Sequence, residues 1–183
     1  MTATFGPARA RRPGALAVML GVALAVLTAD AVSKTLVLER LPGRPPVRLL
    51  GGLITLSLTR NAGAAFGVGP SYTVIIALIA CGVIAFIIRT AGRLRSLAWS
   101  VALGLLLGGA AGNLGDRLLR SPGPMRGRVV DWINLPHFPW TFNLEDSAIV
   151  GAAALMVLLA LRDIRIDGTP ARGSTRPLPG QAP

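Results

Sequence analysis

The sequence predicts an all-α membrane protein, a four-transmembrane-helix bundle, and three observations carry that prediction. Four apolar stretches recur, at about 14–32, 72–88, 97–113 and 144–161. Charged residues make up only 15% of the 183 residues, against about 25% in water-soluble domains. Arginines flank the stretches: Arg9, Arg11 and Arg12 before the first, Arg89 after the second and Arg162 after the fourth. With 52% hydrophobic residues and a mean hydropathy of +0.59, the chain is neither disordered nor a coiled coil, and it fits few soluble classes. A single cysteine, Cys81, excludes a disulfide framework and a thiolate zinc site. A single histidine, His137, argues against a histidine metal centre and a Ser-His-Asp triad. The net charge of +11 is spread over every polar segment, as at the ends of membrane spans. No basic face interleaved with aromatics exists for nucleic acid.

The elements follow in order. The first stretch approaches the roughly 20 apolar residues that cross a bilayer. It exceeds the 7–15 residues of a signal-peptide core, and Thr28-Ala29-Asp30 is a poor cleavage site. The first long loop, 33–71, carries short β segments over 47–58, where Ile54, Leu56 and Leu58 alternate. The small residues of 59–67 read as a flexible segment. The second stretch ends at Arg89, and a short loop with Arg93 and Arg95 leads to the third. The purely apolar part of the third stops near Ala111, so that span needs Gly112 and Asn113 to complete it. The third loop, 114–143, holds one strand over 128–133 and a proline and aromatic cluster over 135–142. The fourth span begins before its apolar run and takes in Leu144, Glu145 and Asp146. Residues 1–166 are read as one membrane domain, and the Gly/Pro/Arg-rich residues 167–183 as a disordered cytoplasmic tail.

The four spans put both termini on one side. The N-terminus, second loop and tail hold ten basic residues in short segments, whereas the first and third loops hold nine in longer ones. By density this places the two long loops outside the cytoplasm.

Ionisable residues at membrane depth are costly and usually functional. Asp30, Asp116, Asp131 and Asp146 sit at the outer ends of the spans and converge on one membrane surface if the helices bundle. Asp30 and Lys34 have the i,i+4 spacing of an ion pair at a helix end. Ser33 beside Lys34 is no nucleophile–base pair, because adjacent helical residues point about 100° apart. Gly104, Gly108 and Gly112 form a doubled GxxxG seam for close helix packing. Gly109, Asn113 and Arg117 form the adjacent stripe. Asn143 reads as an N-cap with Asp146 at the third helical position. There the helix dipole favours an ionised acid, so Asp146 is either a capping acid or a chemical one. Asp131, between two valines and Trp132, has no such structural reason to be there. Two carboxylates brought together at an apolar boundary share a proton, the arrangement of aspartic proteases. The rival reading is a non-enzymatic transporter component or assembly factor whose acids are ion pairs and caps. A proton-coupled carrier would need an acid in mid-span, and the span centres are apolar or glycine.

Five segments in order resemble the lipoprotein signal peptidases (signal peptidase II). They are Asp30-x-x-x-Lys34, Asn61-Ala62-Gly63-Ala64-Ala65-Phe66, Gly109-x-x-Gly112-Asn113-Leu114-x-Asp116-Arg117, Val129-Val130-Asp131-Trp132 and Phe142-Asn143-Leu144-x-Asp146-Ser147-Ala148. The resemblance implies that Asp131 and Asp146 are the catalytic acids. It makes Asn61, Gly109, Asn113, Arg117 and Asn143 binding or supporting residues, and Asp30 and Lys34 a supporting ion pair. It adds a small extracytoplasmic β-sheet cradle and a short interfacial helix to the bundle. It implies diacylglyceryl-modified prolipoproteins as substrates, cleaved just before the lipidated cysteine, with membrane lipids and globomycin-type inhibitors as further partners. No cofactor or metal is expected. The implied location is the bacterial cytoplasmic (inner) membrane, with both termini cytoplasmic and the active site at the outer face. Asp146 is expected as the ionised base and Asp131 as the protonated partner. Three departures stand out: Glu145 where a small residue is usual, Trp132 for a common phenylalanine, and the insert Ser121-Pro122-Gly123-Pro124. Glu145 is expected either to raise the pKa of Asp146 or to point to water.

Overall fold

A computed structural model describes residues 13–63 and 72–169. Four helices, α1 (Pro13–Arg40), α2 (Tyr72–Ala91), α3 (Leu97–Leu119) and α4 (Leu144–Leu161), are long and apolar enough to cross a membrane. Three strands, β1 (Val47–Leu49), β2 (Ile54–Asn61) and β3 (Val129–Asn134), form an antiparallel sheet in the order β1-β2-β3. The fold is therefore the expected four-span bundle with a small sheet. Outside these elements, one 3-10 turn spans Leu50–Gly52 at the sheet's edge. Residues 64–66 of the expected Asn61–Phe66 segment, and 170–183 of the expected tail, lie outside the described residues.

The first helix does not stop at Val32. It continues through the segment read as loop, because Ser33 and Thr35 turn their hydroxyls onto the Asp30 and Ala31 carbonyls (2.8 Å each) and Val37 is buried against the bundle. At 28 residues it is about 42 Å long, more than the roughly 30 Å hydrocarbon core. Its last turns therefore project beside the sheet. Pro42, Pro45 and Pro46 follow and cannot extend a helix.

α3 is the centre of the bundle and carries more buried residues than any other helix, whereas α1, α2 and α4 each turn a long apolar face outward. Glycine makes this possible. A methyl group at Gly104 would lie 2.6 Å from the Met19 carbonyl oxygen, and one at Gly108 would lie 2.8 Å from that of Ala23. α1 therefore rides directly on the α3 backbone. The expected single seam is divided, however. Gly112, with Gly109, faces α4 rather than α1, since α4 begins level with the last turns of α3.

In the sheet, β2 runs on to Asn61, into the segment read as flexible, because β3 pairs with it there: Thr59 faces Asp131, Arg60 faces Val130 and Asn61 faces Val129. A register irregularity between Leu56 and Thr59 offsets this half of the ladder from the Thr55–Asn134 half. The insert at 121–124 folds back on the end of α3. Arg128 N donates to Ser121 O (3.2 Å) and Gly127 N to Arg117 O (2.9 Å), which launches β3 beside the helix it has just left.

Overpacking the α1–α3 contact costs about 1–3 kcal/mol or more. Gly108→Val should therefore lower the thermal unfolding midpoint in detergent, whereas Gly82→Ala, where a methyl group meets open space, should not.

Candidate active site

The site is assembled around Asn143. Its backbone is extended (φ −127°, ψ −176°), and it caps α4 reciprocally with Asp146. Asn143 Oδ1 accepts from Asp146 N (2.9 Å), and Asp146 Oδ2 accepts from Asn143 N (3.1 Å). The box fixes the Asp146 rotamer. Its other oxygen, Oδ1, accepts from Asn113 Nδ2 on α3 at 3.0 Å. The Asn143 amide nitrogen is thereby free to face the opposite way. It donates to Asp131 Oδ1 at 2.7 Å and reaches Asn113 Oδ1 at 3.4 Å.

Asp131 is only 1% exposed. Its second oxygen accepts from Asn61 Nδ2 at 2.9 Å across the β2–β3 ladder. Asn61 is itself held by Gly63 N, which donates to Asn61 Oδ1 (2.8 Å) from a turn with Gly63 at φ 92°. Thr73 at the start of α2 donates to Ala62 O and closes that turn. Burial pushes the Asp131 carboxyl from 3.8 up to about 6, and the charge of Asp146 adds to the rise. The amides of Asn61 and Asn143 and the charge of Lys34 oppose it.

Arg117 is buried, and its Nη1 donates to Asn113 O one turn back on α3 (2.9 Å). Its Nε has no partner among the described residues. Arg117, Asn61, Asp131 and Asp146 line one cavity of about 510 Å3. Phe138, Trp140 and Phe142 line the same cavity. Phe138 packs edge-on against both others, with ring centroids 5.2 and 6.0 Å away. The cavity thus combines two acids with an aromatic lining, which suits a peptide carrying a hydrophobic group.

Behind the two acids lies a second cluster. The Lys34 ammonium contacts Asp30 (2.6 Å), Glu145 (2.6 Å) and Asp116 (2.9 Å), and Lys34 and Glu145 are each 2% exposed. Asp116 also takes Arg120 Nε (2.5 Å) and accepts from Val130 N (3.2 Å). The expectation that Glu145 points to water is therefore corrected. Its side chain turns inward across α3, through the space left by Gly112, where a methyl group would lie 1.3 Å from Glu145 Oε1. The sequence carried one signal of this: an acid at a position where the related pattern has a small residue, with a glycine to receive it on α3. Gly109 is one turn deeper, where a methyl group would lie 2.6 Å from the Glu145 carbonyl oxygen. It lets α4 approach α3 and does not line the cavity.

The nine candidate residues thus separate into three groups. Asn61, Arg117, Asp131 and Asp146 line the cavity, with Asn113 and Asn143 bonded to its two acids from the buried side. Asp30 and Lys34 lie in the ionic cluster behind it, and Gly109 lies in the α3–α4 contact.

Gly112 and Glu145 should be energetically coupled. Gly112→Ala should destabilise the protein strongly in the native background and far less on Glu145→Ala, a departure from additivity of about 0.5–3 kcal/mol by double-mutant cycle. Equal costs in both backgrounds would place the Glu145 carboxylate elsewhere.

With this geometry established, comparison with known proteins is informative. The family model described as Signal peptidase (SPase) II matches residues 22–162. A lipoprotein signal peptidase of Streptomyces coelicolor is 47% identical over 163 residues, covering 89% of this chain and 79% of that protein. One from Mycobacterium tuberculosis (strain H37Rv) is 44% identical over 149 residues, covering 81% and 73%. A bacterial membrane enzyme solved by the in meso method at 1.9 Å superposes with a TM-score of 0.70 at 25% identity, over 80% of this chain and 94% of that one. The match extends from within α1 to the residue after α4, so most of the bundle, the whole sheet and both cavity carboxylates lie inside it, and the chain belongs to the signal peptidase II family.

Proposed function

We propose that this peptidase is an aspartic endopeptidase that removes signal peptides from diacylglyceryl-modified prolipoproteins, cutting just before the lipidated cysteine. The observation that carries the reading is the pairing of Asp131 and Asp146 on one cavity wall, both bonded to the same asparagine. The likeness to lipoprotein signal peptidases over most of the chain supports the substrate class.

The chemistry follows from the two environments. Asp146 accepts one N–H on each oxygen and acts as the base. Asp131, whose pKa is raised to about 6, holds the shared proton. A water between them attacks the scissile carbonyl carbon. Its proton passes to Asp146 while the Asp131 proton passes to the carbonyl oxygen, which gives a neutral gem-diol. The C–N bond then breaks. The proton on Asp146 goes to the departing amine of the cysteine, and a diol hydroxyl returns its proton to Asp131. Arg117, which lines the cavity, supplies a guanidinium donor for a substrate backbone carbonyl. The aromatic wall receives apolar side chains or the lipid, which enters from the membrane at the outer face. Both termini are then cytoplasmic in a bacterial inner membrane, and globomycin-type inhibitors compete for this cavity.

Asp131→Asn and Asp146→Asn should each fold and lose cleavage of a lipidated prolipoprotein by about 10³-fold or more, since each removes one half of the proton exchange. A folded variant retaining activity near that of the native protein would overturn the pairing. The raised pKa has a second consequence. The folded state binds a proton more tightly than the unfolded one, so Asp131 destabilises the fold as pH rises from about 4 through 6. Asp131→Asn removes that term. Its stability relative to the native protein should be more favourable at pH 8 than at pH 4 by up to about 3 kcal/mol, read from unfolding midpoints at the two pH values.

A further inference from the structure

A cavity of about 770 Å3 lies away from the one with the acids. It lies at the other end of α3. Trp99 in its wall is 14 residues before Asn113, which is about 21 Å along the helix axis. Phe86 of α2, Leu103 of α3 and Met156 of α4 give it an apolar floor. Its rim is basic. Arg93 and Arg95 come from the α2–α3 turn, and Arg165 comes from the segment after α4.

That segment is held in place. Arg95 N and Ser96 N both donate to Ile166 O (3.0 and 3.2 Å), and Trp99 Nε1 donates to Ile164 O at 2.6 Å. Three hydrogen bonds therefore bring a third arginine to a turn that already carries two. Neither Arg93 nor Arg95 has an acidic partner among the described residues. The one acid on the rim, Asp167, accepts from Thr169 N (3.0 Å) and Thr169 Oγ1 (2.6 Å) and lies near Arg165. The rim is left with an excess of positive charge over an apolar floor at a helix-end level of the bundle.

Guanidinium groups recognise phosphate through paired N–H donors, and basic pockets between membrane helices hold anionic headgroups. The volume is within the range of small-molecule sites. We propose that this cavity binds an anionic phospholipid, its phosphate held by Arg93, Arg95 and Arg165 and its acyl chains lying along Phe86, Leu103 and Met156. The site is separate from the acids and does not rest on the peptidase chemistry. Its effect is to anchor the α2–α3 turn and the segment after α4 at the membrane surface opposite the carboxylates.

The test is native mass spectrometry of the full chain released from detergent after equilibration with equimolar phosphatidylglycerol and phosphatidylcholine. The native protein should retain phosphatidylglycerol preferentially. The triple variant R93Q/R95Q/R165Q should lose most of that preference, by about tenfold or more, given a several-fold factor per arginine at an anionic surface. The triple lysine variant should keep part of it. Helicity and gel-filtration profile check the fold, and R93Q alone, at an exposed side chain, repeats the measurement if the triple variant does not fold. Equal retention of the two lipids by the native protein, or an unchanged preference in the glutamine variant, would refute the site. If excess inorganic phosphate strips the bound phosphatidylglycerol, the cavity is a free-phosphate site and the lipid proposal fails.

Discussion

Much of the polar end of this molecule depends on one buried ammonium. Lys34 lies among Asp30, Asp116 and Glu145, and the contacts to Glu145 and Asp116 each have a consequence one residue away. Glu145 precedes Asp146. Asp116 accepts the backbone N–H of Val130, which precedes Asp131. The positions of both cavity carboxylates are thus tied to the same cation on α1. In a low-dielectric interior, removing one partner of such a cluster leaves uncompensated charge and typically costs 3–5 kcal/mol. The arrangement therefore resists partial rearrangement and keeps the two cavity acids close to each other.

Glycine on α3 makes that constraint possible. A lysine on α1 and a glutamate on α4 meet only because α3 between them has no side chain at Gly112, and α1 approaches closely enough only because Gly104 and Gly108 admit its backbone. The resulting bundle has an apolar exterior on α1, α2 and α4 and a polar interior confined to one end. Buried charge is then paid for by pairing rather than by water, while the Asp131 and Asp146 side of the wall stays open to a cavity.

Asn143 divides the work of one side chain between two neighbours. Its oxygen caps α4 and its nitrogen donates to Asp131, so helix start and strand position are set against each other. Asn61 on the far side of Asp131 completes the shell. Ligating or reacting groups held by such outer partners keep their orientation without relying on substrate. At Asp131 burial outweighs the two amide donors and holds its carboxyl pKa up at about 6.

The sequence by itself determined the four spans, because an apolar run of membrane length has few other fates. It also determined the α4 cap, since Asn143 and Asp146 are three residues apart and capping is local. The Asp30–Lys34 pair was legible for the same reason. The likeness of five ordered segments carried the family. Contacts between distant segments were decided only by the tertiary structure. The β2–β3 register carried Asn61 to Asp131 across a gap of 70 residues, and Thr59-Arg60-Asn61 looks like loop until Val129-Val130-Asp131 pairs with it. α1 runs to Arg40 because its outer turns pack beside the sheet, which hydropathy alone does not reveal. Glu145 and Lys34 are 111 residues apart, and whether that acid meets water or a cation depends on how α4 is rotated against α3. Local sequence sets what a side chain is, and in this chain the rotation and depth of neighbouring helices set what it faces.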